Sequence, residues 1–137
     1  AERRGLPNIS SMVEAIPALT TEKSVAMFEK FKVFTRAELE SREEIKYENY
    51  AKAINIEART MIDMASKQFV PAFIKYTKSL ADTVIAVRDA GADASVQSDL
   101  LNEVSGYLAE TKRALETLMK VTEQAAAMPE GGDQARY

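Results

Sequence analysis

The stretch from Arg36 to Ala90 constrains the fold of this chain most, because it contains no glycine and only one proline, Pro71. Apolar residues recur along it at intervals of three and four, the spacing of one face of an α-helix. At 1.5 Å per residue, a helix of this length would extend ~80 Å. The sequence therefore predicts one long helix. Pro71 either kinks this helix or divides it into two helices that meet at Val70.

Both ends of this helix carry recognisable boundary signals. Thr35 and Glu38 form a capping-box pattern, in which a hydroxyl and a carboxylate each accept a hydrogen bond from a backbone N–H that has no partner in the helix. Gly91 can end the helix, and the Asp or Ser that follows can cap the next one. Because this connection is short, the next helix, predicted from about Val96 to Met128, must return alongside the first.

The two long helices are predicted to pack together through one apolar stripe on each. Each member of a stripe lies three or four residues after the previous one, so all members face the same side of the helix. The stripe of the first helix is Ile54, Ala58, Met61, Ala65, Phe69, Ala72, Tyr76 and Leu80, and that of the second is Leu101, Val104, Leu108, Thr111, Leu115, Leu118, Thr122 and Ala125.

Two shorter helices are predicted before the long one. The first lies near Met12–Ile16, and the second follows a pair of threonines for roughly three turns. The predicted fold class is all-α: an elongated antiparallel helical bundle built on one long helix, kinked or not at Pro71, and a returning helix, with one or two short N-terminal helices packed on it. Residues 1–137 are predicted to form a single helical domain. Within it, residues 129–137 are expected to be a disordered tail, because they combine a proline with two adjacent glycines.

The side-chain chemistry of the sequence excludes most kinds of catalytic centre. The chain contains no cysteine and no histidine, which removes thiolate nucleophiles, imidazole bases, structural zinc sites and histidine-containing di-iron sites. It has no glycine-rich phosphate loop and no nucleophile elbow. The glutamates from Glu38 to Glu48 are spread around a helix beside basic residues and are interpreted as a solvated ion-pair face. We therefore predict no catalytic, cofactor-binding or metal-binding residue in this chain.

The charge and hydropathy of the chain indicate which kinds of partner it lacks, and its cysteine content indicates where it is located. Lys and Arg number 18 against 21 Asp and Glu, and the two signs are interspersed along the chain, so no surface for nucleic acid is predicted. No run of apolar residues is long enough to cross a membrane. The absence of cysteine favours a reducing, cytoplasmic location.

One face of the long helix is predicted to lack cover within the chain. The returning helix reaches only the C-terminal part of the long helix, and the short helices reach its first turns. This leaves Tyr47, Tyr50, Ile54 and Ile56 as a candidate docking face. Ile54 and Ile56 lie about 200° apart around the helix, so they cannot both face one partner. The alternative interpretation of this segment is a fully buried turn of the core.

Several segments of the chain share their sequence with a known enzyme family. They are IPAL from Ile16, EKSVAMFEKFKVFTRAELESR from Glu22, ENY from Glu48, INIEA from Ile54, TMIDMA from Thr60 and PAFIKY from Pro71. Over roughly Leu6 to Leu80 the chain resembles the C-terminal region of type III glutamine synthetases. The returning helix is similar to that region mainly in its periodicity and position.

This resemblance implies a parent enzyme that joins ammonia to glutamate at the expense of ATP, with divalent Mg or Mn as cofactor. It also implies a cytoplasmic homo-oligomer, a dodecamer of hexameric rings, and a partner in the upstream catalytic domain of the same polypeptide. The family's catalytic residues belong to upstream segments that this chain lacks, so none is carried over. The chain would then be a non-catalytic C-terminal domain, inactive alone, that packs on the catalytic domain and supports assembly. The competing hypothesis is a stand-alone helical adaptor that binds a helix of another protein.

Overall fold

A computed structural model describes residues 2–5, 7–129 and 131–136, and every regular element within them is helical. The predicted all-α fold, with a long helix, a returning helix and short N-terminal helices, is confirmed. The α-helices are α1 (Met12–Ala15), α2 (Glu22–Lys30), α3 (Arg36–Met64), α4 (Val70–Asp89), α5 (Ser95–Ala126) and α6 (Gly132–Arg136), with 3-10 turns at Glu2–Arg4 and Ile16–Leu19 and a π-helical turn at Ala65–Phe69.

Contacts between residues divide the chain into two compact units. The first unit consists of Ala1–Ile56 and Gln124–Tyr137, and the second of Glu57–Glu123. Helix α3 therefore contributes residues to both units. The single helical domain over residues 1–137 stays a prediction.

The first unit has a small apolar core between its short helices and the first turns of α3. Val25 of α2 and Leu39 of α3 are 2% and 1% exposed. Ile16, Tyr47 and Ala51 are buried with them. An ion pair between Arg36 Nη2 and Glu22 Oε2, 2.8 Å apart, also links the start of α3 to α2.

Local hydrogen bonds build the turn between α2 and α3. Lys32 ends α2 in a left-handed conformation with a φ of 55°, and the Val33 N–H donates to the Phe28 carbonyl at 3.0 Å, as in a Schellman cap. The Thr35 N–H then donates to Glu38 Oε2 at 2.7 Å, and the Glu38 N–H donates to Thr35 Oγ1 at 3.4 Å. The predicted capping box is confirmed and sets the start of α3.

The second unit contains the predicted helical hairpin, in which α5 packs back on the long helix. Gly91 ends α4 with a φ of 75°, where a side chain would be strained. The Ala92 N–H closes the turn by donating to the Val87 carbonyl at 3.1 Å. Asp93 Oδ1 accepts a hydrogen bond from the Ser95 N–H at 2.9 Å, which satisfies a backbone donor at the first residue of α5.

The predicted stripe of the returning helix is confirmed at every position. Each member of the stripe is buried or half-buried. Helix α5 begins at Ser95 and ends at Ala126, so both of its ends lie within two residues of the predicted bounds. The two most buried members are Val104 and Leu115, at 7% and 6% exposure. The full set is Leu101, Val104, Leu108, Thr111, Leu115, Leu118, Thr122 and Ala125.

The predicted stripe of the long helix is largely wrong. Only its three positions Ala58, Ala65 and Leu80 are buried or half-buried. The predicted members that are exposed are Ile54, Met61, Phe69, Ala72 and Tyr76. The observed inward-facing stripe of the second unit, called the seam below, consists on this helix of Ala58, Ile62, Ala65, Val70, Phe73, Thr77, Leu80, Val84 and Val87.

The π-helical turn at Ala65–Phe69 changes which residues face inward. The Val70 N–H donates to the Ala65 carbonyl, five residues back instead of four, so the turn contains one extra residue. In an uninterrupted α-helix, Phe69 would follow Ile62 on the buried face, seven residues later. With the extra residue, Val70 takes that place and Phe69 turns outward.

Two features of the sequence account for the position of this turn. Pro71 has no N–H, and in an α-helix its ring would clash with the carbonyl of Lys67. A wider turn just before the proline removes this conflict, so the helix continues through Pro71 without ending there. Further along, the shift brings Leu80 and Val84 into the seam in place of the Ser and Thr that precede them, which buries more apolar surface.

The capping box predicts a pH-dependent contribution to stability. The pKa of Glu38 is lowered below its ordinary value of 4.5, chiefly by the hydrogen bond from the Thr35 N–H and then by that from the Thr35 hydroxyl. A lowered pKa stabilises the folded state above the ordinary pKa, and this contribution is lost as the pH falls through the lowered value. Glu38→Gln retains an acceptor for the Thr35 N–H but cannot titrate.

The measurement is the free energy of unfolding in urea for the wild type and for E38Q at about pH 7 and about pH 3. We expect the wild type to be the more stable protein at neutral pH, with the difference disappearing in acid. A difference that stays constant between the two pH values would contradict this role of the carboxylate.

Candidate interaction site

The four residues predicted to form a docking face differ in how deeply they are buried. Tyr47 is only 2% exposed and belongs to the core of the first unit. Tyr50 is half-buried, while Ile54 and Ile56 are 45% and 66% exposed. Tyr47 is therefore corrected to a core residue, and the candidate interaction site consists of Tyr50, Ile54 and Ile56.

Helix α6 covers the ring of Tyr47. The Arg136 guanidinium lies over the ring, 5.0 Å from its centroid, and Arg136 Nη2 donates to the Tyr47 hydroxyl at 3.1 Å. A cation over an aromatic face is attracted by the ring's quadrupole, and the hydrogen bond satisfies the hydroxyl of this buried side chain. The composition of the segment containing Arg136 does not reveal this contact, because its proline and adjacent glycines are typical of a disordered tail.

The predicted disordered tail is corrected for the residues that the structure describes there. Residues 132–136 form α6, and Gln134 Nε2 donates to the Ala125 carbonyl at the end of α5, at 2.9 Å. The glycines that suggested disorder have a structural role here. Gly131 is buried with a φ of 123°, a conformation that residues with a Cβ rarely adopt. Residues 130 and 137 of the predicted tail lie outside the described residues.

Ile54 and Ile56 are not a buried turn of the core, which was the alternative interpretation of this segment. Both side chains are exposed, and their positions on α3 point them in nearly opposite directions. Tyr50 lies close by and borders an open groove of about 400 Å³, whose lining is Ser11, Val13, Glu14, Tyr50, Ala135 and Arg136. The docking role of these side chains stays a prediction.

The acidic residues at the start of α3 have structural contacts. Glu38 caps the helix, Glu43 Oε2 accepts a hydrogen bond from the Thr20 hydroxyl at 2.5 Å, and Glu48 pairs with Lys52. Among the described residues, no three His, Cys, Asp or Glu side chains lie together as a metal site would require. In this part of α3 the three carboxylates thus make a helix cap, a hydrogen bond and an ion pair.

Within the described part of the chain, each helix is too short or too polar to span a bilayer.

Comparison with known proteins identifies relatives of this chain. Residues 1–88 match the family model described as the glutamine synthetase C-terminal domain. The glutamine synthetase of Butyrivibrio fibrisolvens is 31% identical over 139 aligned residues, which cover 100% of this chain and 20% of that protein. The type-3 glutamine synthetase of Dictyostelium discoideum is 37% identical over 87 residues, which cover 64% of this chain and 12% of that protein.

A third relative, the glutamine synthetase of Bacteroides fragilis (strain YCH46), is 28% identical over 111 residues, covering 77% of this chain and 15% of that protein. This chain thus spans at most 20% of the length of the curated relatives described here. No solved structure matches it significantly.

The docking of α6 on Tyr47 predicts opposite effects for two glycine substitutions. Gly131→Ala should lower the free energy of unfolding by about 1–3 kcal/mol, because alanine is strained at this φ and its Cβ would displace the Glu44 carboxylate. Gly106→Ala is the control. Gly106 lies within α5 with no atom near the added Cβ, so this change should stabilise the chain by about 0.5–1 kcal/mol.

Urea unfolding measures both effects, and amide hydrogen exchange locates them. Exchange should accelerate at residues 132–136 in G131A and remain unchanged there in G106A. If both variants retained the wild-type exchange of these amides, α6 would not depend on the conformation of Gly131.

Proposed function

Because this chain belongs to the glutamine synthetase C-terminal domain family, we propose that it supports the assembly of a type III glutamine synthetase without contributing to the chemistry. In this proposal the parent enzyme ligates ammonia to glutamate with ATP, and its upstream catalytic domain binds ATP and Mg or Mn. The parent is a cytoplasmic homo-oligomer, a dodecamer of hexameric rings. The isolated chain is inactive, and its direct partner is the catalytic domain of the same polypeptide.

The length of the relatives and the chemistry of the chain support a non-catalytic role. Proteins named glutamine synthetase extend far beyond the matched region, which is 12% to 20% of their length. The chain itself offers no imidazole or thiol, and its described carboxylates do not gather into a metal-binding group. Catalytic groups of the proposed reaction would therefore be supplied by the remaining polypeptide.

The exposure of Ile54 and Ile56 is the observation that carries the docking part of the proposal. Burying an isoleucine side chain contributes about 1.5–3 kcal/mol when burial is complete. At 45% and 66% exposure, both residues still have much of this free energy to gain from a partner. Because they point to different sides of α3, we propose that this segment lies between two surfaces of the assembled enzyme.

Charged substitutions at these positions test docking in the full-length enzyme. In the double variant Ile54→Asp and Ile56→Asp, docking would bury an aspartate carboxylate without a partner at each position. This costs ~3 kcal/mol or more and should weaken docking about 100-fold. We expect loss of the assembled particle, measured by mass photometry, together with loss of glutamine synthesis.

Ile85→Asp is the matched control, because Ile85 is 59% exposed on α4 and lies outside the candidate site. This variant should form the assembled particle and synthesise glutamine like the wild type. Circular dichroism of the separate helical chain, with and without the substitutions, distinguishes loss of docking from loss of folding. Assembly and activity that survive the double substitution would overturn the docking proposal.

A further inference from the structure

The hairpin of the second unit carries a row of exposed apolar side chains along one side of its seam. On the long helix they are the residues that immediately precede the seam residues Ile62, Val70 and Thr77. On α5 the corresponding positions immediately precede Leu101, Leu108 and Thr122. Together they are called the apolar flank, which consists of Met61, Phe69, Tyr76, Leu100, Tyr107 and Val121.

These two rows lie on the same side of the hairpin. An antiparallel helix pair has a local two-fold axis normal to the plane of the two helices, so equivalent positions of the two helices face the same side. The opposite side shows this pairing directly. Arg88 follows the seam residue Val87, and Ser98 follows the half-buried Gln97 of α5. Arg88 Nη2 donates to Ser98 Oγ across the hairpin at 3.2 Å.

Each residue of the apolar flank keeps a large part of its surface in solvent. Met61, Phe69, Tyr76 and Tyr107 are between 49% and 60% exposed, and Leu100 and Val121 are 38% and 40% exposed. The Tyr107 hydroxyl donates to Glu103 Oε1 at 2.8 Å, so its ring can be buried without leaving that group unpaired. Ala114 continues the row on α5 with a small side chain. No charged residue interrupts these positions.

The seam alone gives the second unit a shallow core. Its most buried large side chains are Val84, Leu115, Val104 and Leu80, at 6%, 6%, 7% and 9% exposure. The most deeply buried side chains among the described residues, those of Leu39 and Val25, lie in the first unit instead. Two helices can cover each other only along one stripe, so a further layer of helices is needed to bury the flank.

We propose that the apolar flank is a self-association surface, which packs on the same flank of a second copy of this chain to form an antiparallel four-helix bundle. A two-fold symmetric contact requires a surface that is complementary to itself, and a continuous apolar row on both helices satisfies this requirement.

The exposed apolar area of the flank is large enough for a dimer of two copies of this chain. Large apolar side chains present about 150–250 Å² when fully exposed, so the flank offers roughly 500 Å² per copy at its observed exposure. Two copies would bury ~1,000 Å², about the lower limit of a specific protein interface, before its rim is counted.

The charges beside the flank select one of the two possible pairings. The positions that lie outward of the flank, three residues after each of its members, are the uncharged Met64, Ala72 and Ser79 on the long helix. On α5 they include Glu103 and Glu110. Packing α5 against the partner's α5 would bring these carboxylates together, which is destabilising. Packing the long helix against the partner's α5 avoids this repulsion, and a two-fold axis parallel to the helices produces that arrangement.

This inference names a surface for the assembly role proposed above and rests on that role only for its biological purpose. Its test uses the chain alone, whereas docking of Ile54 and Ile56 is judged in the full-length enzyme. Failure of one test therefore does not imply failure of the other.

Sedimentation equilibrium of the 15.2 kDa chain measures the self-association. We expect a concentration-dependent dimer. Phe69→Glu and Tyr107→Glu should each raise its dissociation constant at least about 100-fold, since each would bury an unpaired charge. Ile74→Glu is the matched control, because Ile74 is 56% exposed on the opposite side of the seam. It should leave the dissociation constant unchanged, and circular dichroism verifies that all three variants remain helical.

Cysteine labelling provides a second readout that needs no disruptive substitution, because the chain contains no native cysteine. Maleimide labelling of Ala114→Cys, which lies between Tyr107 and Val121 in the row on α5, should slow as the protein concentration rises through the dimer range. Labelling of Ser105→Cys, on the opposite side, should not. A chain that remains monomeric at millimolar concentration, or a dimer that leaves Ala114→Cys fully reactive, would overturn the proposal and assign the flank to a different partner.

Discussion

The second unit depends on keeping one continuous apolar seam between the long helix and α5. Before the π-helical turn, the inward positions include Ile62 and Ala65; after it, they include Leu80 and Val84. These two sets are offset by one residue in the seven-residue repeat that the stripe of α5 follows, so one heptad-spaced seam includes both only if an extra residue lies between them. The extra residue of the π-helical turn, placed next to a proline that already weakens α-helical geometry, brings both sets into one seam.

The same shift determines which surface is left for partners. Phe69 and Tyr76 would belong to the core of a regular helix, but the extra residue moves them to the flank of the hairpin. Exposed large apolar groups of this kind usually mark interaction surfaces. Together with the exposed Ile54 and Ile56, they describe a chain whose apolar surface exceeds what its own helices cover. This is consistent with membership of a family that forms only part of much longer enzymes.

Features fixed by local chemistry could be predicted from the sequence. The capping box at Thr35, the stop at Gly91 and the whole stripe of α5 depend on nearest neighbours and a single periodicity. The stripe of the long helix could not be predicted in the same way, because Phe69 is at least as apolar as Val70, and Tyr76 offers more apolar surface than Thr77. Choosing between them requires the π-helical turn. The ordering of α6 could not be predicted either, because composition does not reveal that Arg136 contacts Tyr47.

The most direct test of this account compares two phenylalanines that lie one turn apart on the long helix. Phe73 is half-buried in the seam, whereas Phe69 is 50% exposed on the flank. The measurement is the free energy of unfolding in urea for Phe73→Ala and Phe69→Ala, at concentrations where the chain is monomeric. The account predicts that Phe73→Ala is more destabilising by about 2 kcal/mol. An equal or larger loss for Phe69→Ala would show that the helix runs without the one-residue shift.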